Sequence, residues 1–327
     1  MLSKYVDMRQ RQLELAAPAI SHLIGTDQGL GGMSFLINQL ATIEAGVFER
    51  KYAPLPYQKL MTISTEGGPG VTSFIYRTLD YVGQAKRASN NADDIPYVDF
   101  SMAEHVSPVV LGHVGYHYST EELRQSAVLN VALPATKARA ALRAYENLMN
   151  KVALVGENGD LFGLCNYPGV PVVPAAHAPW TNASTYSDVI ADVNTLLAAV
   201  YDATAMNDYA DTLLVPPTVF QTWTNVYMPY TGEMLLELIK QNNFTTVSGG
   251  GELLIIQVPQ LEKASPTAGR RVVAYNRSAD NLVMHIPMPL TFLPPQPVNL
   301  DLKIPGEFKY GGVEIRYLNT IRYMDNV

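Results

Sequence analysis

Alternating apolar positions and one long helical stripe divide this chain of 327 residues into segments of distinct character. Residues 1–55 open amphipathically, with Leu2, Tyr5 and Val6 ahead of Leu13, Leu15 and Ala16. They break at the glycine-rich 25–32 stretch and resume as a helical run over 33–48. Such an arm cannot bury its own apolar positions, so the pattern predicts that it lies on another surface. From 59 to 118 the texture is that of strands. Residues 72–82 are rich in aromatic and β-branched types. The polar 83–94 stretch interrupts them, and strand character resumes at 95–100. Two strands flanking a polar tip predict a projecting hairpin. A two-stranded ribbon is marginal in water, so it too needs a partner.

Ser119, Thr120, Glu121 and Glu122 then have the spacing of a capping box, in which Ser and Glu satisfy orphan amides at a helix start. A first helical segment is expected to about Val131. Pro134 restarts the helix, because a first helical position needs no N–H. Beyond it Ala138, Ala141, Leu142, Tyr145, Leu148, Met149 and Val152 recur at helical spacing, and Gly156 ends the run. At 1.5 Å per residue the helix over 134–155 is about 33 Å long, enough for a spine. Residues 158–166 read as a loop, followed by a proline-rich connector through Pro179.

From Thr185 the pattern is compact α/β. Val189, Val193, Leu196, Leu197 and Val200 share a helical face. Residues 212–215 read as a buried strand stopped by Pro216 and Pro217. A helix at 234–241, a turn at 248–251 and strands at 253–258, 271–275 and 282–286 complete this lobe. Strands return from 290 to 323. The terminal 311–325 segment alternates Val313, Ile315 and Tyr317 with Glu314, Arg316 and Leu318, which predicts a strand with one buried face. No internal repeat or low-complexity tract is present.

Length suggests two lobes, at about 100–200 residues per domain. Hydrophobic residues make up 47% of the chain and charged residues 16%, the latter low for a soluble protein and suited to one that hides surface against neighbours. The net charge of -7 comes without any Lys or Arg run, which argues against tight gripping of phosphates. A single cysteine, Cys165, rules out an intrachain disulfide framework. No signal-peptide core or spanning-length apolar run is seen.

No residue pattern along the chain specifies a chemistry. His113 and His117 sit on a strand-like stretch, roughly 13 Å apart at the rise of a strand, too far to share a metal ion. The glycine-rich segments 25–32, 67–70 and 249–251 lack the Lys-Ser/Thr of a phosphate-binding loop and read as turns. Asp93–Asp94 lie in a polar loop, and Glu121–Glu122 suit a first helical turn by the helix dipole. There is no Gly-x-Ser-x-Gly elbow, and Cys165 lacks a neighbouring His and reads as an inert core thiol. The expectation is no catalytic, cofactor-binding or metal-ligating residue, no cofactor and no enzymatic activity.

The order of these elements resembles the Hong Kong 97-type major capsid proteins of tailed bacteriophages across essentially the whole chain. The likeness is carried by the hairpin leading into the capping box (76–122) and by the terminal 311–325 strand. It is carried also by the spine running into residues 156–166, where Gly159, Asp160, Gly163, Leu164 and Asn166 look like the family's Gly-Asp…Gly-Leu-Asn loop. The resemblance implies an α+β capsid fold with an N-terminal arm at 1–55. An extended loop with connecting strands would follow at 56–118, its hairpin at about 72–100. A peripheral domain with the spine helix would span 119–184, an axial α/β domain 185–290, and returning strands of the peripheral domain 291–327.

The implied function is structural: self-assembly into the pentamers and hexamers of an icosahedral shell enclosing double-stranded DNA, without sequence-specific binding and without a membrane. Location in the virion after synthesis in the host cytoplasm follows. Some relatives carry a cleaved scaffolding segment ahead of the arm. The start at Met1 leaves little room for one, so a separate scaffolding protein is expected, with a portal and an optional decoration protein as further partners. Certain members weld subunits through a Lys of the extended loop joined to a neighbour's Asn. Lys86 occupies the matching loop with Asn90 and Asn91 nearby, but a Lys at a polar hairpin tip is ordinarily solvated, and that reading is preferred. The alternatives are an encapsulin-type compartment shell, a tail or baseplate protein, and a soluble two-domain α/β enzyme.

Overall fold

Two apolar clusters organise residues 55–327 in this computed structural model, which describes residues 55–87, 97–122, 133–157, 159–181, 185–227, 232–299 and 301–327. The arm expected at 1–55 lies outside the described residues apart from Leu55, as do most of the hairpin tip and the helical segment expected up to Val131.

The chain begins with a single helical turn, α1 (Tyr57–Leu60), and a short strand, β1 (Thr62–Ser64). Two long strands follow, β2 (Ser73–Val82) and β3 (Asp99–Ser119). The spine helix is α2 (Leu133–Leu154). It buries Tyr145, Met149, Val152, Ala153 and Leu154 in the first cluster, while Leu142 is 46% exposed, so the buried face is narrower than its apolar periodicity suggests.

The helix ends where expected, for a steric reason. Gly156 has φ +83°, and a Cβ there would stand 2.1 Å from the Leu161 carbonyl oxygen. The 158–166 segment is more structured than a loop. It supplies β5 (Leu161–Phe162), which pairs with β4 (Gly156–Glu157) just before it in a two-stranded hairpin. It then folds back so that the N–H groups of Leu164 and Cys165 donate to the carbonyls of Ala153 and Leu154, at 2.8 and 2.9 Å. The last carbonyls of a helix have no partner within it, and these bonds supply one. Cys165 is buried, and burial pushes its thiol up to about 12.

The connector contributes β6 (Val172–Val173) and leads to α3 (Tyr186–Ala203). Its Val189, Val193, Leu196, Leu197 and Val200 are all buried in the second cluster, as their spacing predicts. Next come β7 (Thr212–Val215), buried at every position, and α4 (Pro217–Asn225). The proline pair does more than stop β7. Pro217 also opens α4, whose low-propensity residues are held helical by burial of Val219 and Trp223 one turn apart. Then follow α5 (Leu235–Gln241), α6 (Phe244–Val247), β8 (Leu254–Gln257) and β9 (Arg271–Tyr275).

The remaining strands are β10 (Leu282–His285), β11 (Met288–Phe292), β12 (Gln296–Val298), β13 (Asp301–Gly311), β14 (Val313–Ile315) and β15 (Ile321–Asp325). Their pairing departs from the sequence reading twice. β10 does not extend the sheet of the α/β lobe. It lies between β1 and β14, with Leu282, Met284 and Ile286 in the first cluster. Residues 311–325 are not one strand either. Tyr317 and Leu318 are exposed in a break, after which β15 inserts between β6 and β9 in a sheet of order β6-β15-β9-β7-β8. Apolar alternation marks both pieces as strands, but β14 buries Val313 and Ile315 in the first cluster alone, whereas β15 serves both, with Ile321 and Tyr323 in the first and Met324 in the second.

Buried charge fastens the lobe's ends. Arg271 donates to both carboxylate oxygens of Asp325, at 2.6 and 2.8 Å, and to the Cys165 carbonyl at 2.8 Å. The buried Asp192 carboxylate accepts from the backbone N–H of Ala176 and His177 and from the Trp180 indole, at 3.2, 3.1 and 3.1 Å, and pairs with His177 Nδ1 at 2.9 Å. One side chain of α3 thus holds the whole 176–180 segment. Bonds to a charged group are worth about 1.5–3 kcal/mol each, and orphaned buried donors cost comparably. Asp192→Ala is therefore expected to lower stability by about 3 kcal/mol, read as a lower denaturant midpoint together with faster hydrogen exchange at 176–180. An unchanged midpoint would contradict the assignment.

Candidate functional site

β3 is 21 residues long, about 70 Å at 3.3 Å per residue. It pairs with two different strands in succession. Residues 99–108 pair with β2, from Val82 opposite Asp99 to Ser73 opposite Pro108. Residues 109–119 pair with β13, from Gly311 opposite Val109 to Asp301 opposite Ser119. Among the described residues no third strand joins the first half, which is therefore a two-stranded ribbon about 33 Å long projecting from the body.

The even-numbered face of β3 is apolar almost throughout, interrupted by Glu104. In the body most of this face is covered, with only Val110 beside the root still 37% exposed. Val114 packs on the first cluster, Tyr118 is buried, Tyr116 meets Phe292 edge-on with centroids 5.3 Å apart, and a Cβ at Gly112 would collide with the Phe308 ring at 2.3 Å. In the ribbon the same face is bare. Phe100, Met102 and Val106 are 59%, 50% and 64% exposed, and their cross-strand partners Tyr81, Leu79 and Ile75 are 83%, 56% and 59% exposed. Directly opposed residues of an antiparallel pair share a face, so these six form one stripe. In its middle Arg77 lies opposite Glu104, with Nε 2.7 Å from Oε1.

The opposite face anchors the ribbon root. Tyr76 stacks on His105 at 4.9 Å, and Phe74 stacks on His285 of β10 at 4.0 Å with planes 16° apart. His285 Nε2 lies 2.9 Å from Glu314, whose other oxygen accepts from Arg316 Nε at 2.8 Å. Burial pushes the Glu314 carboxyl upward, but the bonds to His285 and Arg316 outweigh it and hold the group below its ordinary value. Beside the root, a cleft of about 830 Å³ opens towards the lobe, lined by Tyr76, His105, Thr204, Asp208, Arg316 and Tyr317.

The far end of β3 is tied to the spine. The Ser119 N–H donates to Glu122 Oε2 at 3.2 Å, the reach-back half of the expected capping box. Lys137 on α2 bonds that same oxygen at 2.6 Å and the His117 carbonyl at 2.9 Å, and its charge stands 5.0 Å from the Tyr118 ring centre.

The residues weighed for chemistry scatter. His113 and His117 lie on the exposed odd face of β3, opposite Glu307 and Lys303. Glu121 and Glu122 sit in a helical turn, and Asp93, Asp94, Asn90 and Asn91 lie outside the described residues. Among the described residues no three His, Cys, Asp or Glu side chains gather as a metal site, and no helix is long and apolar enough to cross a membrane. The stripe itself was legible only as strand character. Both faces of the ribbon carry large residues, so periodicity could not say which one the body leaves uncovered.

The sequence profile of the major capsid protein family matches residues 83–327. No curated protein sequence matches the chain. Among solved structures, the capsid of Myoviridae phage XM1 superposes with a TM-score of 0.75 at 19% identity, covering 89% of this chain and 98% of that one. The capsid of a native GTA particle matches at 0.59 and 10% identity, covering 92% and 99%. Gordonia phage Cozz matches at 0.57 and 11% identity, covering 92% and 96%. The likenesses show the α+β fold of phage capsid subunits, the Hong Kong 97-type fold.

The Glu314 cluster yields a pH prediction. A carboxyl held lower in the folded chain than its ordinary 4.5 contributes stability above that value and loses it as pH falls through the folded value. The parent is expected to weaken below about pH 4.5, while Glu314→Gln weakens less over that range and is already about 3 kcal/mol less stable at pH 7. Denaturant titrations at pH 7 and pH 4 check both; parallel losses in the two proteins would refute the cluster's role.

Proposed function

Since this chain belongs to the major capsid protein family, we propose that it builds an icosahedral virion shell by laying its β2–β3 ribbon across a neighbouring copy. The observation that carries this reading is the stripe of Ile75, Leu79, Tyr81, Phe100, Met102 and Val106. It continues a face that the body covers farther along the same strand. Covering six such side chains restores in the assembly the burial that the single chain lacks.

In this reading the ribbon is the extended loop, and α2 with β13 and its neighbours forms the peripheral domain. The lobe built on α3 and the β7–β9 sheet, with β15 inside that sheet, is the axial domain gathered around the symmetry axes. Pentamers and hexamers follow from head-to-tail contacts that close into rings. The role is structural, without catalysis. The shell's content is double-stranded DNA. A net charge of -7 with no basic run suits a container whose cargo must stay mobile rather than adhere. A separate scaffolding protein and a portal complete the assembly, within the cytoplasm of the host.

Leu79→Glu places a charge in the middle of the stripe without touching the body. The variant subunit is expected to keep the parent's circular dichroism and denaturant midpoint while losing the ability to form shells under negative-stain electron microscopy. Shells of ordinary size from this variant would reject the reading.

A further inference from the structure

The Arg77–Glu104 pair stands out because of where it lies. Arg77 and Glu104 face each other in register, 62% and 51% exposed, between the apolar pairs Ile75/Val106 and Leu79/Met102. An exposed pair of this kind is worth about 0–1 kcal/mol, so stability of the free subunit does not explain it. Its consequences arise when the stripe is covered.

Resting on the reading of this stripe as a face that a second copy covers, we infer that Arg77 and Glu104 set the register of that contact and so determine its specificity. An all-apolar stripe attracts any apolar surface and, because the attraction has no direction, tolerates sliding. A charge pair in its centre loses water on covering, and unless the opposing surface supplies matched polar groups the desolvation exceeds what the pair returns. Wrong registers are therefore penalised, while the correct one places polar groups opposite the pair. The size of the stripe fits a second copy as occupant. Six large apolar side chains exposed by half or more present on the order of 500 Å², at the top of what monomers leave bare. An equal area from the partner brings the total to about 1,000 Å², where specific interfaces begin.

The experiment replaces the pair by apolar residues of similar reach, Arg77→Leu with Glu104→Leu, in the full chain. The double variant is expected to fold and assemble, but with loss of uniformity: mixed diameters and open sheets where the parent gives one shell size. The salt dependence of its assembly threshold should flatten. Uniform shells with the parent's salt dependence would overturn the inference. Leu79→Glu runs alongside. If that variant blocks assembly while the double variant builds uniform shells, the docking face stands and the specificity role falls; if Leu79→Glu assembles normally, both fall. A benzophenone side chain at position 79 should join copies in bands at whole multiples of the subunit mass, beginning with a doubled one. A band at any other mass means that a different protein covers the face, and overturns the inference.

Discussion

β3 carries one apolar face along its whole length, while the core of the chain reaches only its second half. That mismatch governs the rest of the molecule. Between 112 and 118 the face is covered by the body, with Val114 packed on the first cluster and Tyr118 buried, and burial stabilises it there. Between 99 and 108 identical chemistry stands in water with one strand beside it. At about 25 cal/mol per Å², covering some 500 Å² yields on the order of 10 kcal/mol gross, before the costs of association. A strand half satisfied inside its own subunit is a strand whose remaining half selects for company.

Such a ribbon is useful only if it leaves the body in a fixed direction, and β3 is pinned at the ribbon root and at its C-terminal end. At the root, Phe74 lies flat on His285, which is held by Glu314, itself held by Arg316 across the break after β14. At the C-terminal end Lys137 of the spine bridges the His117 carbonyl of β3 and the cap at Glu122. The direction of the ribbon is thereby coupled to the packing of both the three-stranded sheet and α2. Glu314, itself buried, thus bears on the direction of the ribbon through His285 and Phe74.

Much of this was legible in the sequence, and what was not has identifiable reasons. The spine was written in the spacing from Ala138 to Val152, its end in Gly156, the lobe's helix in Val189 to Val200, and strands β7 and β9 in their apolar runs. The misses share one cause: local pattern says that a segment is a strand but not which neighbour it joins. Residues 282–286 and 321–325 both read correctly as strands, yet the first left the lobe for β1 and β14 and the last entered it beside β9. Helix α4 escaped because Thr218, Thr222 and Thr224 argue against a helix that only Val219 and Trp223, through tertiary burial, enforce. The bare face of the ribbon was hidden by the same limit, since exposure is a property of what the body fails to reach.

A shell adds a constraint that a single subunit does not face. Each contact is repeated many times over, so one strong enough to hold alone would trap every early mistake, because a misplaced copy could not leave. A modest stripe of about 1,000 Å² in total, with a charge pair at its centre, meets that constraint from two sides. Its apolar part supplies attraction that is real but individually limited. Its polar centre makes the mismatched arrangements weaker still, so they dissociate first. The same reasoning accounts for the low charge content elsewhere. A subunit that spends much of its surface on neighbours cannot carry many groups that must stay wet, and those it keeps on a contact face are there because their removal from water discriminates one arrangement from the next.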